Sequence, residues 1–187
     1  TYFLLLALGG LFFTAIQHLT GSMWSATVRR LAEALTSYFP FALIGMVGEF
    51  LGSHHLYEWT HREVVEADLI LLGKSGYLNM PFFVIRSVVA FAIWFLFARK
   101  FVGNSVTQDR TGEYGLSLSS RKWSPAFLIL FAFSITMMSF DFLMSLDPHW
   151  FSTIYGVYIF SGMFYSTLAL VCLLAVLFYE SGQLKGI

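Results

Sequence analysis

Three charged side chains lie inside otherwise apolar stretches of the sequence: Glu49, Arg86 and Asp141. A charged group in lipid hydrocarbon is costly, so it is usually paired or lines a cavity. Counted at about 1.5 Å per residue from the ends of their stretches, all three fall at a similar depth, about 10 Å below one surface. We therefore expect Arg86 to pair with Asp141, Glu49 or both. Two interpretations stay open: an ion pair that fixes helix register, or a proton-accepting carboxylate beside a cavity.

Most of the histidines lie toward the same end of the apolar stretches, namely His54, His55, His61 and His149. Imidazole takes up protons near neutral pH, which suits the oxidation of a quinol, since a quinol gives up its protons as it is oxidised. Tyr57, Trp59 and Trp150 could hold an aromatic ring there. The alternative is that each histidine makes an interfacial hydrogen bond. No span has a central histidine for haem, and no compact spacing indicates zinc.

The composition sets the class of protein in which these groups act. Hydrophobic residues make up 57% of the 187 residues and charged residues 12%, whereas soluble domains carry about 25% charged residues. The mean hydropathy is +0.70. The formal net charge is zero, which suggests no polyanionic partner. Cys172 is the single cysteine, so an internal disulfide and a cysteine-held cluster are excluded.

Five continuous apolar segments are candidate membrane spans, over about residues 2–18, 37–53, 79–98, 125–146 and 153–179. They do not alternate in hydropathy, so a β-barrel is excluded and helices are expected. The sequence predicts an all-α fold, a polytopic transmembrane helical bundle forming a single transmembrane domain. Since Thr1 leads directly into an apolar segment without an initiator Met, we expect a fragment of a larger membrane subunit.

The connections between the spans differ in charge. The connections after the first and third spans, with the tail, hold eight Lys and Arg residues, and the other connections hold two. The positive-inside rule therefore places loops 18–37 and 99–124 in the cytoplasm and loops 54–79 and 147–152 outside. Apolar residues at helical spacing over 22–35 predict a helix lying at the membrane surface. Asp147 and Pro148 read as the N-cap and first residue of the fifth span.

One string of residues carries a family resemblance. The sequence from Ser145 to Tyr158, SLDPHWFSTIYGVY, resembles the MS(I/L)DPHWFSTxxGxY signature of the NrfD-like membrane subunits of alternative complex III, in particular those of the ActF type. Supporting matches are Trp24-Ser25 with Arg29, Arg30 and Glu33, then YEWTH at 57–61, then YLNMPFFVIR at 77–86. The matches follow the family order over nearly the whole chain.

The resemblance implies an integral subunit of a respiratory quinol:electron-acceptor oxidoreductase in the bacterial inner membrane. The implied ligand is a quinol, of the menaquinone type. Haem and iron–sulfur clusters are expected only in partner subunits. The implied partners are other membrane subunits including an ActC-like sister, periplasmic haem c and iron–sulfur subunits, a terminal oxidase, and the lipid bilayer. No nucleic-acid partner is expected.

The candidate residues for quinone binding or a proton path are Asp141, His54, His55, His149, Glu49 and Arg86. Three functions stay open for them. The chain contributes to a quinol site, or it is a structural scaffold with no quinone site of its own, or it translocates protons. A lipid-accessible pocket with convergent polar groups would favour the first function.

Overall fold

The computed structural model describes residues 1–182, and within them the chain is helical without a β-strand. The helices are α1 (Tyr2–Thr20), α2 (Ala26–Leu35), α3 (Phe39–Leu56), α4 (Arg62–Ala67), α5 (Leu69–Lys74), α6 (Met80–Thr111), α7 (Tyr114–Phe142) and α8 (Tyr155–Glu180). Short 3-10 turns cover Thr36–Tyr38, Glu58–Thr60 and Met144–Leu146. In the described part, five helices are long and apolar enough to cross a membrane. The all-α transmembrane class is therefore confirmed.

The most enclosed span is α1. In its apolar window 61% of the residues are buried, against 17% in α8. Two glycines permit this central position, because their neighbours approach the backbone directly. A Cβ at Gly9 would lie 2.0 Å from Thr167 Oγ1 of α8, and a Cβ at Gly10 would lie 2.4 Å from the Ala32 carbonyl oxygen of α2. Small residues allow helices in lipid to approach closely.

The aromatic core joins α1 to α6 and α7. Phe101, Phe127 and Phe131 are all but fully buried, and they contact one another edge to face or tilted. Such aromatic pairs each contribute about 0.5–1.5 kcal/mol beyond their buried area. This cluster holds α6 against α7 and orients the polar side chains that both helices carry.

The helix predicted over 22–35 begins only at Ala26, and one side of it packs against protein. Ala32 and Glu33 are buried, and α2 packs on α1 and α8 before continuing through the Thr36–Tyr38 turn into α3. The close approach at Gly10 explains the difference, since it lets α2 dock on protein. Trp24, just before α2, remains exposed.

The prediction of a loop over 99–124 is wrong, because most of this segment is helical. The helix α6 continues to Thr111, the turn is made by Gly112 at φ 69°, and α7 begins at Tyr114. Polar contacts between the two helices stabilise this extension: Asn104 Nδ2 donates to Ser120 Oγ at 3.0 Å, and Ser117 Oγ donates to Gln108 at 2.6 Å. Hydropathy marks where a helix leaves lipid, not where it ends.

The start predicted for the fifth span is also wrong. The helix α8 begins at Tyr155, and Asp147 instead accepts a hydrogen bond from the His149 backbone N–H at 3.3 Å. This contact is a local turn of the kind that Asp side chains favour. Residues 147–154 therefore form a connection, and they lie beside the α4–α5 segment.

Candidate functional site

Arg86 and Asp141 form an ion pair between α6 and α7. Arg86 Nε lies 2.7 Å from Asp141 Oδ2, and Arg86 Nη2 lies 2.9 Å from Asp141 Oδ1. Arg86 Nη1 also donates to the Tyr77 carbonyl oxygen at 3.1 Å. The guanidinium carbon lies 3.9 Å from the centre of the Tyr77 ring and 4.2 Å from that of Phe82. The expected pairing of Arg86 is confirmed for Asp141.

This ion pair is closed to other ligands. Asp141 is fully buried, and Arg86 is 5% exposed. Both carboxylate oxygens are used by the bidentate contact, the geometry in which guanidinium and carboxylate bind most strongly. The rings of Tyr77 and Phe82, which lie edge to face with their centres 6.0 Å apart, both contact the guanidinium. The arrangement favours the register-fixing interpretation of the pair over the catalytic one.

Glu49 lies apart from the ion pair and has a different partner. The Tyr57 hydroxyl donates to Glu49 Oε1 at 2.7 Å and lies 3.4 Å from the Phe142 carbonyl oxygen. Burial, together with the hydrogen bond to this carboxylate, raises the pKa of Tyr57 far above its ordinary value. Tyr57 therefore keeps its proton and acts as a hydrogen-bond donor to Glu49.

A cavity of about 140 Å³ opens beside Glu49, between α1, α3, α6 and α7, and Ile159 of α8 is also in its wall. Its walls are mostly apolar, and they include Met46, Trp94 and Met138. Among the described residues that line it, Glu49 is the only side chain with a formal charge. Gly45 is also part of the wall and is exposed on the outside of α3. The cavity thus combines an open side at Gly45 with a single carboxylate side chain.

The histidines named from the sequence divide into two places, and none of them lines this cavity. His54 and His55 are exposed on the last turn of α3. The His54 and His61 ring centres lie 3.9 Å apart, and His61 Nε2 lies 2.8 Å from the His54 carbonyl oxygen. Residues 1–182 bring together no group of three His, Cys, Asp or Glu side chains that could hold a metal ion.

His149 contacts Asp68 instead. Its Nε2 lies 2.5 Å from Asp68 Oδ2, and this contact joins the 147–152 connection to α5. The hydrogen bond from His149 is the main cause that lowers the pKa of Asp68, aided by the Ile70 backbone N–H. Lys74 Nζ makes a second contact between the same segments, at 2.5 Å from the Pro148 carbonyl oxygen.

The chain matches no known family model. No curated protein matches it either. The geometry of the site is therefore the basis on which its function rests.

Three features of the site were not predicted from the sequence. Tyr57 is the partner of Glu49, the rings of Tyr77 and Phe82 contact the guanidinium of Arg86, and the cavity lies beside Glu49 rather than Asp141. Helical spacing could not reveal the first contact, because Tyr57 follows the end of α3 and has an extended backbone. Burial, with smaller effects of Asp141, raises the pKa of Tyr77 to about 12. The sequence predicted only that a charged residue within a span is paired or lines a cavity, without deciding which carboxylate lines it.

Proposed function

We propose that this chain is an integral subunit, of the ActF type, of a respiratory quinol:electron-acceptor oxidoreductase in the bacterial inner membrane. The cavity beside Glu49 takes the quinol head group. The observation that carries the proposal is the combination of an apolar, open cavity with one carboxylate that a buried tyrosine holds in place.

The size of the cavity fits an aromatic head group. An apolar cavity of about 150 Å³ accommodates benzene, and the space beside Glu49 is about 140 Å³. The apolar side of the opening at Gly45 leaves a path for an isoprenoid tail toward the lipid. A menaquinone-type ring, which is larger, would extend toward this opening. Ligand sites of this kind combine apolar walls with few polar groups that fix orientation.

The chemistry assigned to the chain is proton acceptance. Glu49 Oε1 is bound by Tyr57, which leaves Oε2 to accept a hydrogen bond from a quinol hydroxyl. Glu49 takes up the protons that oxidation releases, one after the other, and passes each toward the end of the bundle that carries His54 and His55. Haem and iron–sulfur groups in partner subunits would accept the two electrons, and an ActC-like sister subunit would lie beside this chain.

A second candidate function is a membrane scaffold that binds no quinol. The observation that favours it is the closed Arg86–Asp141 pair, which locks α6 to α7 without offering a free group. In that case the exposed apolar faces of α3 and α8 dock the partner subunits and the lipid.

The substitution Glu49→Gln separates the two functions. The amide oxygen still accepts the Tyr57 hydrogen bond but cannot take up a proton, so quinol oxidation by the assembled complex should fall about a hundredfold or more, the usual contribution of a general base. Assembly, measured on native gels, should be unchanged. Glu58→Gln is the matched control, because Glu58 is an exposed carboxylate outside the cavity.

A density map of the assembly with a bound quinol-site inhibitor gives the second readout. Inhibitor density beside Glu49 supports the quinol site. Wild-type activity of Glu49→Gln, with inhibitor density confined to another membrane subunit, would reject it in favour of the scaffold.

A further inference from the structure

A second, larger groove lies at the end of the bundle that carries α4 and α5. Its volume is about 480 Å³, and it is bordered by the α5–α6 connection, the last turn of α7 and the connection to α8. Tyr77, Trp150 and Phe151 are part of its wall and are exposed. Exposed Trp and Tyr side chains collect at the depth of lipid head groups.

Lys74 is the charged side chain of this groove, and its charge lacks a partner. The other cation of the connections at this end, Arg62, is paired with Glu66 at 2.7 Å. In the part of the chain that the structure describes, no carboxylate lies within 4.0 Å of Lys74. Its ammonium donates to the neutral Pro148 carbonyl oxygen, and it lies 6.0 Å from the Phe151 ring centre. Two of its three N–H donors remain available for an anion.

An apolar stripe continues from the groove along α7. Met144 and Phe140 border the groove, and Met137 and Phe133 follow on the same face, since these positions are spaced by four, three and four residues. Phe133 is 71% exposed and Met137 37% exposed. At 1.5 Å per residue the stripe is about 16 Å long. That length matches one leaflet, which is half of a hydrocarbon core of about 30 Å.

We propose that this groove binds one glycerophospholipid of the adjoining leaflet, with its phosphate on Lys74 and an acyl chain along the α7 stripe. The cation without an anionic partner, the interfacial aromatic residues and the leaflet-length stripe each match one part of such a lipid. This site is separate from the cavity beside Glu49 and is independent of the proposed function.

The test is native mass spectrometry of the full chain, purified in detergent, stripped of lipid and titrated with phosphatidylglycerol. The wild-type protein should retain one molecule of phosphatidylglycerol, and Lys74→Gln should weaken its binding about tenfold, because an ionic contact to phosphate is lost. The Gln amide can still donate to Pro148, so the local fold is retained. Lys74→Arg should bind like the wild type.

Two controls make the result specific to the site and to a lipid. Arg62→Gln removes an exposed cation at the same end and should leave binding unchanged. Diacylglycerol, which lacks the phosphate, should bind about as weakly to the wild type as phosphatidylglycerol binds to Lys74→Gln. Equal binding of phosphatidylglycerol to the wild type and Lys74→Gln would overturn the proposal. Displacement by equimolar glycerol phosphate would also overturn it, because the site would then take a soluble phosphate.

Discussion

At the scale of single residues, the two carboxylates in the membrane have opposite environments. Asp141 is fully buried, and both of its carboxylate oxygens accept hydrogen bonds from Arg86. Glu49 borders a cavity and receives one hydrogen bond from Tyr57. A charge that is paired on all sides fixes structure, whereas a charge with an open oxygen can exchange protons. The candidate chemistry of this chain therefore lies with Glu49.

The contact between His149 and Asp68 makes stability depend on pH. Because the hydrogen bond lowers the pKa of Asp68 in the folded state, its contribution is fully present above the unfolded Asp pKa of about 4 and is lost as pH falls through the lower folded value. We expect thermal unfolding of the wild type, followed by circular dichroism, to show this loss below about pH 4.

The substitution Asp68→Asn should remove that part of the pH dependence and lower the stability at neutral pH. Glu63→Gln is the control, since Glu63 is an exposed carboxylate in the same segment. Identical pH profiles below pH 4 for the wild type and Asp68→Asn would show that the contact contributes nothing to folding.

At the scale of the elements, the ion pair determines how α6 and α7 lie against each other. The two helices form a hairpin around Gly112, and the Arg86–Asp141 pair joins them near its open end. The Asn104–Ser120 hydrogen bond joins them near the turn. Polar contacts at both ends, with the aromatic cluster between them, leave one register for the hairpin.

The substitution Asp141→Asn should therefore destabilise the fold strongly. It leaves the Arg86 charge buried without compensation, and breaking a buried pair in this way costs about 3–5 kcal/mol. The measurement is the free energy of unfolding in detergent micelles. Asp147→Asn is the matched control, because Asp147 is exposed and makes only a local turn contact.

The double variant Arg86→Met with Asp141→Leu provides the complementary result. It removes both charges, so it should recover most of the loss, since apolar replacement of a buried pair is often close to neutral. If Asp141→Asn were as stable as Asp147→Asn, the pair would not set the hairpin register.

At the scale of the whole molecule, the connections separate to opposite ends of the bundle. Arg30 binds Glu33 at 2.8 Å and also contacts Asp109, which brings α2 beside the end of α6. The contacts of His149 and Lys74 bring the remaining connections together at the other end. Within residues 1–182, most Lys and Arg side chains outside the spans lie at one end. The tail residue Lys185 lies outside the described residues. The positive-inside rule predicts that this end faces the cytoplasm.

Cysteine labelling tests this orientation. In a Cys172→Ser background, Glu63→Cys should react with a membrane-impermeant maleimide in intact spheroplasts. Glu113→Cys, at the α6–α7 turn, should react only after permeabilisation. Both residues are exposed in the structure. The reverse pattern of labelling would invert the assigned orientation.

The spans could be predicted because lipid imposes one physical requirement on every segment that crosses it. Backbone groups in hydrocarbon must find their partners within the segment, so a long apolar run is a helix whatever surrounds it. The depth of a charge in its span follows from the helix rise alone. This is why the pairing of Arg86 with a carboxylate could be predicted from the sequence.

Only the tertiary structure decided which carboxylate borders the cavity, that α2 docks on protein, and that α6 and α7 extend past the apolar segments. Each of these features depends on the rotation of a helix about its axis and on the neighbour that it meets. Hydropathy records the preference of a residue for lipid or water and contains neither quantity. Asp141 and Glu49 look alike in the sequence, and they differ because one faces Arg86 and the other faces a space between several helices.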